Sequence, residues 1–247
     1  MSGGTTGGKV DAMIPGAARV LVVAPHPDDE VLGCGATIAR LAAQGAEVTV
    51  VAVCADLPPL YGADVAPQVE AEARAAHAVL GVHRSVFLDL PSVEVSRGPV
   101  AVLNGGLQRV ADETRPELVL IPFPDRHVDH KAVFDAAMVV TRPIGTGTGI
   151  RTVAMYETVS ETFWNAPGAE PAFVPTWSVD VTATIDAKIE AFGRFASQLQ
   201  AFPGPRSVEA LRALALFRGS QSSMPYAEAF QIARMTTPEA DASGRRA

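Results

Sequence analysis

The chain is 247 residues long, enough for one large α/β domain or two small ones, and its 48% apolar and 19% charged residues suit a compact soluble protein rather than a disordered one. A formal charge of −7 with no run of Lys or Arg excludes a general nucleic-acid binder, because counterion release needs clustered cations. No apolar run reaches the roughly 20 residues that cross a bilayer. Residues 1–17 lack the charged start and apolar core of a secretion signal, so the expected location is the cytoplasm. Cys34 and Cys54 each sit in an apolar pattern and read as buried free thiols, which excludes a disulfide framework and an all-thiolate zinc site.

Residues 19–24, Arg-Val-Leu-Val-Val-Ala, form a short, mostly β-branched run ending at Pro25, as expected of a strand buried on both faces. Residues 30–44 carry apolar side chains at helical spacing and stop at Gly45, and 47–54 return to a strand. The alternation continues with a helix over 67–80, a strand over 85–88, a helix over 102–114 and a strand over 118–121. A helix over 129–141, strands over 151–156 and 177–181, and helices over 185–199 and 207–217 complete the pattern. The expected fold is therefore α/β and Rossmann-like, a mainly parallel doubly wound sheet with helices on both faces. One domain is expected over 18–235, between a flexible N-terminus (1–17) and a flexible tail (236–247). Pro-rich stretches over 57–67 and 164–175 read as lids or as plain surface connections. The apolar residues of 211–217 leave homo-oligomerisation open.

Chemistry concentrates in two segments. Ala24-Pro25-His26-Pro27-Asp28-Asp29-Glu30 lies between the first strand and the first helix, where parallel sheets bind ligands beyond strand carboxyl ends. Three consecutive carboxylates repel one another, and a helix start needs only one cap, so the cluster is costly without a cation. Standing alone it would read as an acidic helix cap. Asp125-Arg126-His127-Val128-Asp129-His130, however, follows the fourth strand, and a 3-2-1-4-5 strand order would bring both segments to one crevice. Two imidazoles and a carboxylate with an open position is a catalytic zinc arrangement. His26, Asp29 and His130 can supply it, with Asp28 left beside the ion as general base. His77 and His83 read as solvated side chains on a helix and a turn.

These two motifs resemble the LmbE/PIG-L family of zinc-dependent de-N-acetylases. Supporting likeness comes from residues 72–81, from Asp180, Thr182, Lys188 and Ser197-Gln198, and from Tyr226-Ala227-Glu228-Ala229-Phe230. The resemblance implies one zinc per chain on His26, Asp29 and His130, with iron(II) able to take its place, and Asp28 as the base. It also implies that His127 stabilises the oxyanion or protonates the leaving amine, with Asp129 orienting it. Family members acting on N-acetylglucosaminides have an Arg and an Asp where this chain has Val69 and Ser92. Losing a charged hydroxyl clamp points to a modified amino sugar, a natural product or a thiol precursor. Tyr156, Glu157 and Trp164 are candidates to line the substrate cleft.

Two further classes stay in view: a same-fold amidase cleaving a larger conjugate, and a non-catalytic metal-containing binding protein. A dinucleotide-binding turn at Gly33-Cys34-Gly35 lacks its third Gly and would face repelling carboxylates, and no Gly-x-Ser-x-Gly elbow occurs.

Overall fold

The computed structural model describes residues 17–237. Seven strands form one sheet: β1 (Arg19–Ala24), β2 (Glu47–Ala55), β3 (Arg84–Pro91), β4 (Leu118–Pro122), β5 (Thr152–Tyr156), β6 (Trp177–Asp180) and β7 (Ala227–Met235). Their order is β3-β2-β1-β4-β5-β7-β6. The first five are parallel, as expected, and β7 runs antiparallel between β5 and β6. Six helices accompany them: α1 (Asp29–Ala43), α2 (Val65–Leu80), α3 (Val100–Thr114), α4 (Val128–Val140), α5 (Ile185–Phe192) and α6 (Val208–Ser220).

Strand alternation divides the apolar residues between two cores. Val20, Val22, Val48 and Val50 face one layer with Leu32, Ile38, Leu80 and Phe192. Leu21, Val23, Val51 and Val53 face the other with Leu107, Val110, Val133 and Ala137. Cys34 and Cys54 are buried and free.

Helix α1 is broken at Cys34 (φ −141°, ψ 22°). The amides freed by the kink are not left bare: Glu228 on β7 accepts from Ala36 N at 3.1 Å and Thr37 N at 2.7 Å. Its charge is met by Lys188 Nζ at 2.6 Å. Gly33 is required by packing, since a Cβ there would lie 2.2 Å from the Tyr156 ring.

Several expectations shift. Strand β7 occupies a stretch read as a motif leading into a tail, and α5 ends at Phe192 with Gly193 at its C-cap. The flexible ends expected over 1–17 and 236–247 lie outside the described residues except for 17, 236 and 237. Of these, Ala17 is buried, and Thr236 N donates to Arg151 O at 2.9 Å. On α6, Leu211 is buried whereas Leu216 and Phe217 are exposed. No helix among the described residues is long and apolar enough to cross a membrane.

Candidate active site

The order reverses around β1, which pairs with β2 on one side and β4 on the other. The segments leaving β1 and β4 therefore meet at the switch point, and with them the two motifs. They open onto a cavity of about 490 Å³, within the range of small-molecule sites, whose lining includes His26, Asp28, His127, His130 and Arg206.

Asp29 lies at the centre. Its Oδ2 is 3.2 Å from His26 Nδ1 and 3.2 Å from His130 Nε2. Two donors on one tetrahedral zinc, each about 2.0–2.2 Å from the ion, stand about 3.3 Å apart, and each of the two Asp29 spacings matches that pair distance. The other nitrogen of each imidazole is held by a carboxylate: His26 Nε2 by Asp129 Oδ2 at 2.9 Å and His130 Nδ1 by Asp125 Oδ2 at 3.0 Å. Carboxylates behind metal-binding imidazoles fix the ring and its tautomer in this way. Asp29 Oδ1 and His130 Nε2 are buried with no hydrogen-bond partner, which costs free energy unless an ion satisfies them.

Among the described residues, the donor sets whose ligand atoms all lie within 4.8 Å of one another are other than His26, Asp29 and His130. They are His26, His127 and His130, and His26, Cys54 and Asp129. In the second group, burial and the Asp129 and Asp29 charges push the Cys54 thiol up, so it stays protonated and is a poor ligand.

The electrostatics follow from crowding charged groups in a buried place. Burial favours a neutral His26, but hydrogen bonds to Asp129 and Asp29 outweigh it and raise its pKa to about 9. His130 likewise rises to about 10, burial being overcome by the Asp29 charge and the Asp125 bond. Asp29 is held well below the usual carboxylate range, its burial outweighed by the two imidazoles. Burial lifts Asp28 to about 7, against the pull of Arg206, whose Nη1 lies 3.2 Å from Asp28 Oδ2. Burial, then the positive His26 and His130, lower His127 to about 4.

The expected cleft residues lie elsewhere. Tyr156 is fully buried beneath α1, where its hydroxyl donates to Val23 O at 2.8 Å. Glu157 is buried against Arg218, with its Oε1 accepting from Nε at 2.8 Å. Trp164 is 57% exposed and is not among the residues that line the cavity. Asp129 was expected behind His127; its carboxylate hydrogen-bonds to His26 and accepts from Val93 N, while its Oδ2 also lies 3.9 Å from His127 Nδ1, which accepts from Asp129 N at 3.2 Å. His77 is buried and His83 exposed. The 57–67 stretch borders the cavity through Tyr61, Val65 and Ala66. The 164–175 stretch instead docks on α4, where Glu170 accepts from Lys131 at 3.0 Å.

Two residues at the site had not been given a role. Asp125 carried a signal, since it lies five residues before His130 in the same cluster, and it also accepts from His127 N at 3.0 Å. Arg206 carried none; it arrives on the loop before α6, donating to Gln198 Oε1 at 2.6 Å and Ser160 Oγ at 3.2 Å.

Known proteins share this arrangement of chain. The PIG-L (GlcNAc-PI de-N-acetylase) family model matches residues 21–141. A 1D-myo-inositol 2-acetamido-2-deoxy-alpha-D-glucopyranoside deacetylase of Actinosynnema mirum is 31% identical over 229 residues, covering 73% of this chain and 81% of that protein. The deacetylase YaiS of Escherichia coli is 30% identical over 142 residues, 54% of this chain and 73% of that one. The N,N'-diacetylchitobiose deacetylase structure from Pyrococcus horikoshii superposes with a TM-score of 0.67 at 25% identity, over 88% of this chain and 84% of the other. Both motif segments fall inside the matched span, and the chain belongs to the PIG-L (GlcNAc-PI de-N-acetylase) family.

Proposed function

We propose that the protein is a zinc-dependent amide hydrolase that removes an acetyl or related acyl group from an amino sugar carried within a larger natural product or thiol precursor. The observation that carries this reading is Asp29 Oδ2, placed 3.2 Å from one nitrogen of His26 and of His130 while carboxylates hold the other two. His26, Asp29 and His130 would hold the metal; the N and O donor set suits zinc, and iron(II) would find the same ligands. A bound zinc ion supplies Lewis acidity, polarising the amide carbonyl and acidifying water.

The side chains do the rest. Asp28, which burial lifts in the metal-free protein, lines the cavity beside the proposed ligands and is placed to take a proton from the attacking water and return it to the leaving amine. Because His127 Nδ1 accepts from a backbone N–H, its proton sits on Nε2. Burial lowers the His127 pKa in the metal-free protein, and an imidazole with its proton on Nε2 can donate to the developing oxyanion. That favours the first of the two roles expected for it. Asp129 and Asp125 orient His26 and His130.

For the substrate, Val69 and Ser92 line the cavity, so the positions where the family resemblance implies an Arg and an Asp in N-acetylglucosaminide-cleaving members carry no charge here, although Glu70 and Asp89 line it too. This supports a substrate recognised through groups beyond a plain sugar ring. Metal-stripped protein assayed with and without zinc on a panel of N-acyl amino sugars and amino-sugar natural products tests the reading. Zinc-dependent acyl release from at least one class is expected, and hydrolysis undiminished by metal removal would end it.

A further inference from the structure

Behind the cavity runs a polar chain that the reaction above does not use. Glu30, fully buried in the first turn of α1, accepts from Asp28 N at 3.1 Å through Oε2. Its Oε1 lies 3.0 Å from Nε2 of His77, itself buried on the last turn of α2. His77 Nδ1 is 2.7 Å from the hydroxyl of Ser85 on β3. His77 Nε2 can donate to Glu30, and the Ser85 hydroxyl meets the other ring nitrogen.

The chain ends on a strained residue. Asp28 has φ 144° and ψ −28°, a conformation that costs a non-glycine residue about 1–3 kcal/mol. Its carbonyl accepts from Val31 N and Leu32 N at 3.0 and 2.9 Å, and its N–H is taken by Glu30, so its backbone is fixed on both sides. The side chain is thereby sent to the cavity, where it meets Arg206. Glycine would adopt this φ without strain, so an Asp there implies that the carboxylate is needed. His77 also stacks on Phe87, which lines the same cavity, with ring centroids 6.5 Å apart and planes at 23°.

We propose that His77 is a positioning residue: through Glu30 it holds the backbone of Asp28 in the conformation that aims its carboxylate at the reacting amide, and Ser85 fixes the imidazole for that task. A buried His–Glu pair serving stability alone would have no reason to end on the amide of the strained residue. The inference rests on Asp28 being the base, and the test keeps the two apart.

Zinc-loaded His77→Leu, His77→Gln and Ser85→Ala proteins are compared with wild type for kcat, KM and zinc content. His77→Leu is expected to lower kcat about 10- to 100-fold, the effect of a reacting group misplaced by a fraction of an ångström to an ångström, with KM and bound zinc unchanged. His77→Gln, whose amide N–H can still reach Glu30, is expected to recover most of the loss. A kcat within about twofold of wild type in His77→Leu, a loss that tracks zinc or KM, or no recovery by Gln overturns the proposal. Should His77→Leu fail to fold, Ser85→Ala decides: a drop in kcat alone supports positioning, and an unchanged kcat refutes it. Full turnover in Asp28→Asn would instead overturn the assignment of the base, whatever His77 does.

Discussion

Loading the metal should expel protons, and the number follows from the site. In the metal-free protein His26 titrates at about 9 and His130 at about 10, so at pH 7 each imidazole is about 99% protonated or more taken singly. Their rings lie 5.6 Å apart and repel when both are charged. A metal ligand must be a neutral imidazole, so zinc binding at pH 7 is predicted to release more than one proton and at most about two from this pair. Apparent affinity then rises with pH, by between about 10- and 100-fold per unit from pH 7 to 9. Calorimetric zinc titrations in two buffers of different ionisation enthalpy measure the release directly. The same shifts set the stability of the metal-free chain. Both values lie above the ordinary 6.5, so the stabilisation they contribute is complete below that pH and is lost as pH rises through 9 to 10. No proton release, with an affinity flat between pH 7 and 9, would refute the placement of both imidazoles against Asp29.

Three further perturbations have defined outcomes. Lys188→Met strands the buried Glu228 carboxylate, which should cost about 3–5 kcal/mol and lower the melting midpoint by about 6–20 °C; a shift under about 2 °C would mean that the pair is not closed in solution. Tyr156→Phe removes a buried hydroxyl bond at a cost of about 1 kcal/mol and should leave KM unchanged, whereas a raised KM would return Tyr156 to the substrate cleft. Arg206→Met removes the cation that restrains Asp28, so the acid limb of kcat/KM should move to higher pH than in wild type; a limb that stays put would separate that limb from Asp28.

Much of this was legible in the sequence where local pattern determines the outcome. Strands β1, β2, β4 and β5 are apolar runs buried on both faces, and nothing distant competes with that reading. The two motifs could be placed at one crevice because the strand order of a doubly wound sheet makes β1 and β4 neighbours. Where a residue's state depends on a partner far along the chain, the pattern gave no warning. Glu228 interrupts the alternation of β7 because it caps the kink of α1 and pairs with Lys188, forty positions away. Arg206 reaches Asp28 from a loop with no regular period. Tyr156 and Glu157 do end a strand at the right edge of the sheet, but alternation turns Tyr156 under Gly33, and Glu157 meets Arg218. His77 was legible in retrospect: Val69, Ala73, Ala76 and Leu80 trace the buried face of α2, and His77 falls on it. Its meaning depended on Glu30, which only the folded chain brings alongside.

The most direct test of the account is Asp28→Asn, with bound metal and acyl release measured on the same preparation. Zinc should remain near one ion per chain, because Asp28 is not among the proposed ligands, while kcat falls by about 100-fold or more through loss of the base. Wild-type turnover in that variant, or loss of the zinc together with the activity, would contradict the division of labour between Asp28 and the three ligands.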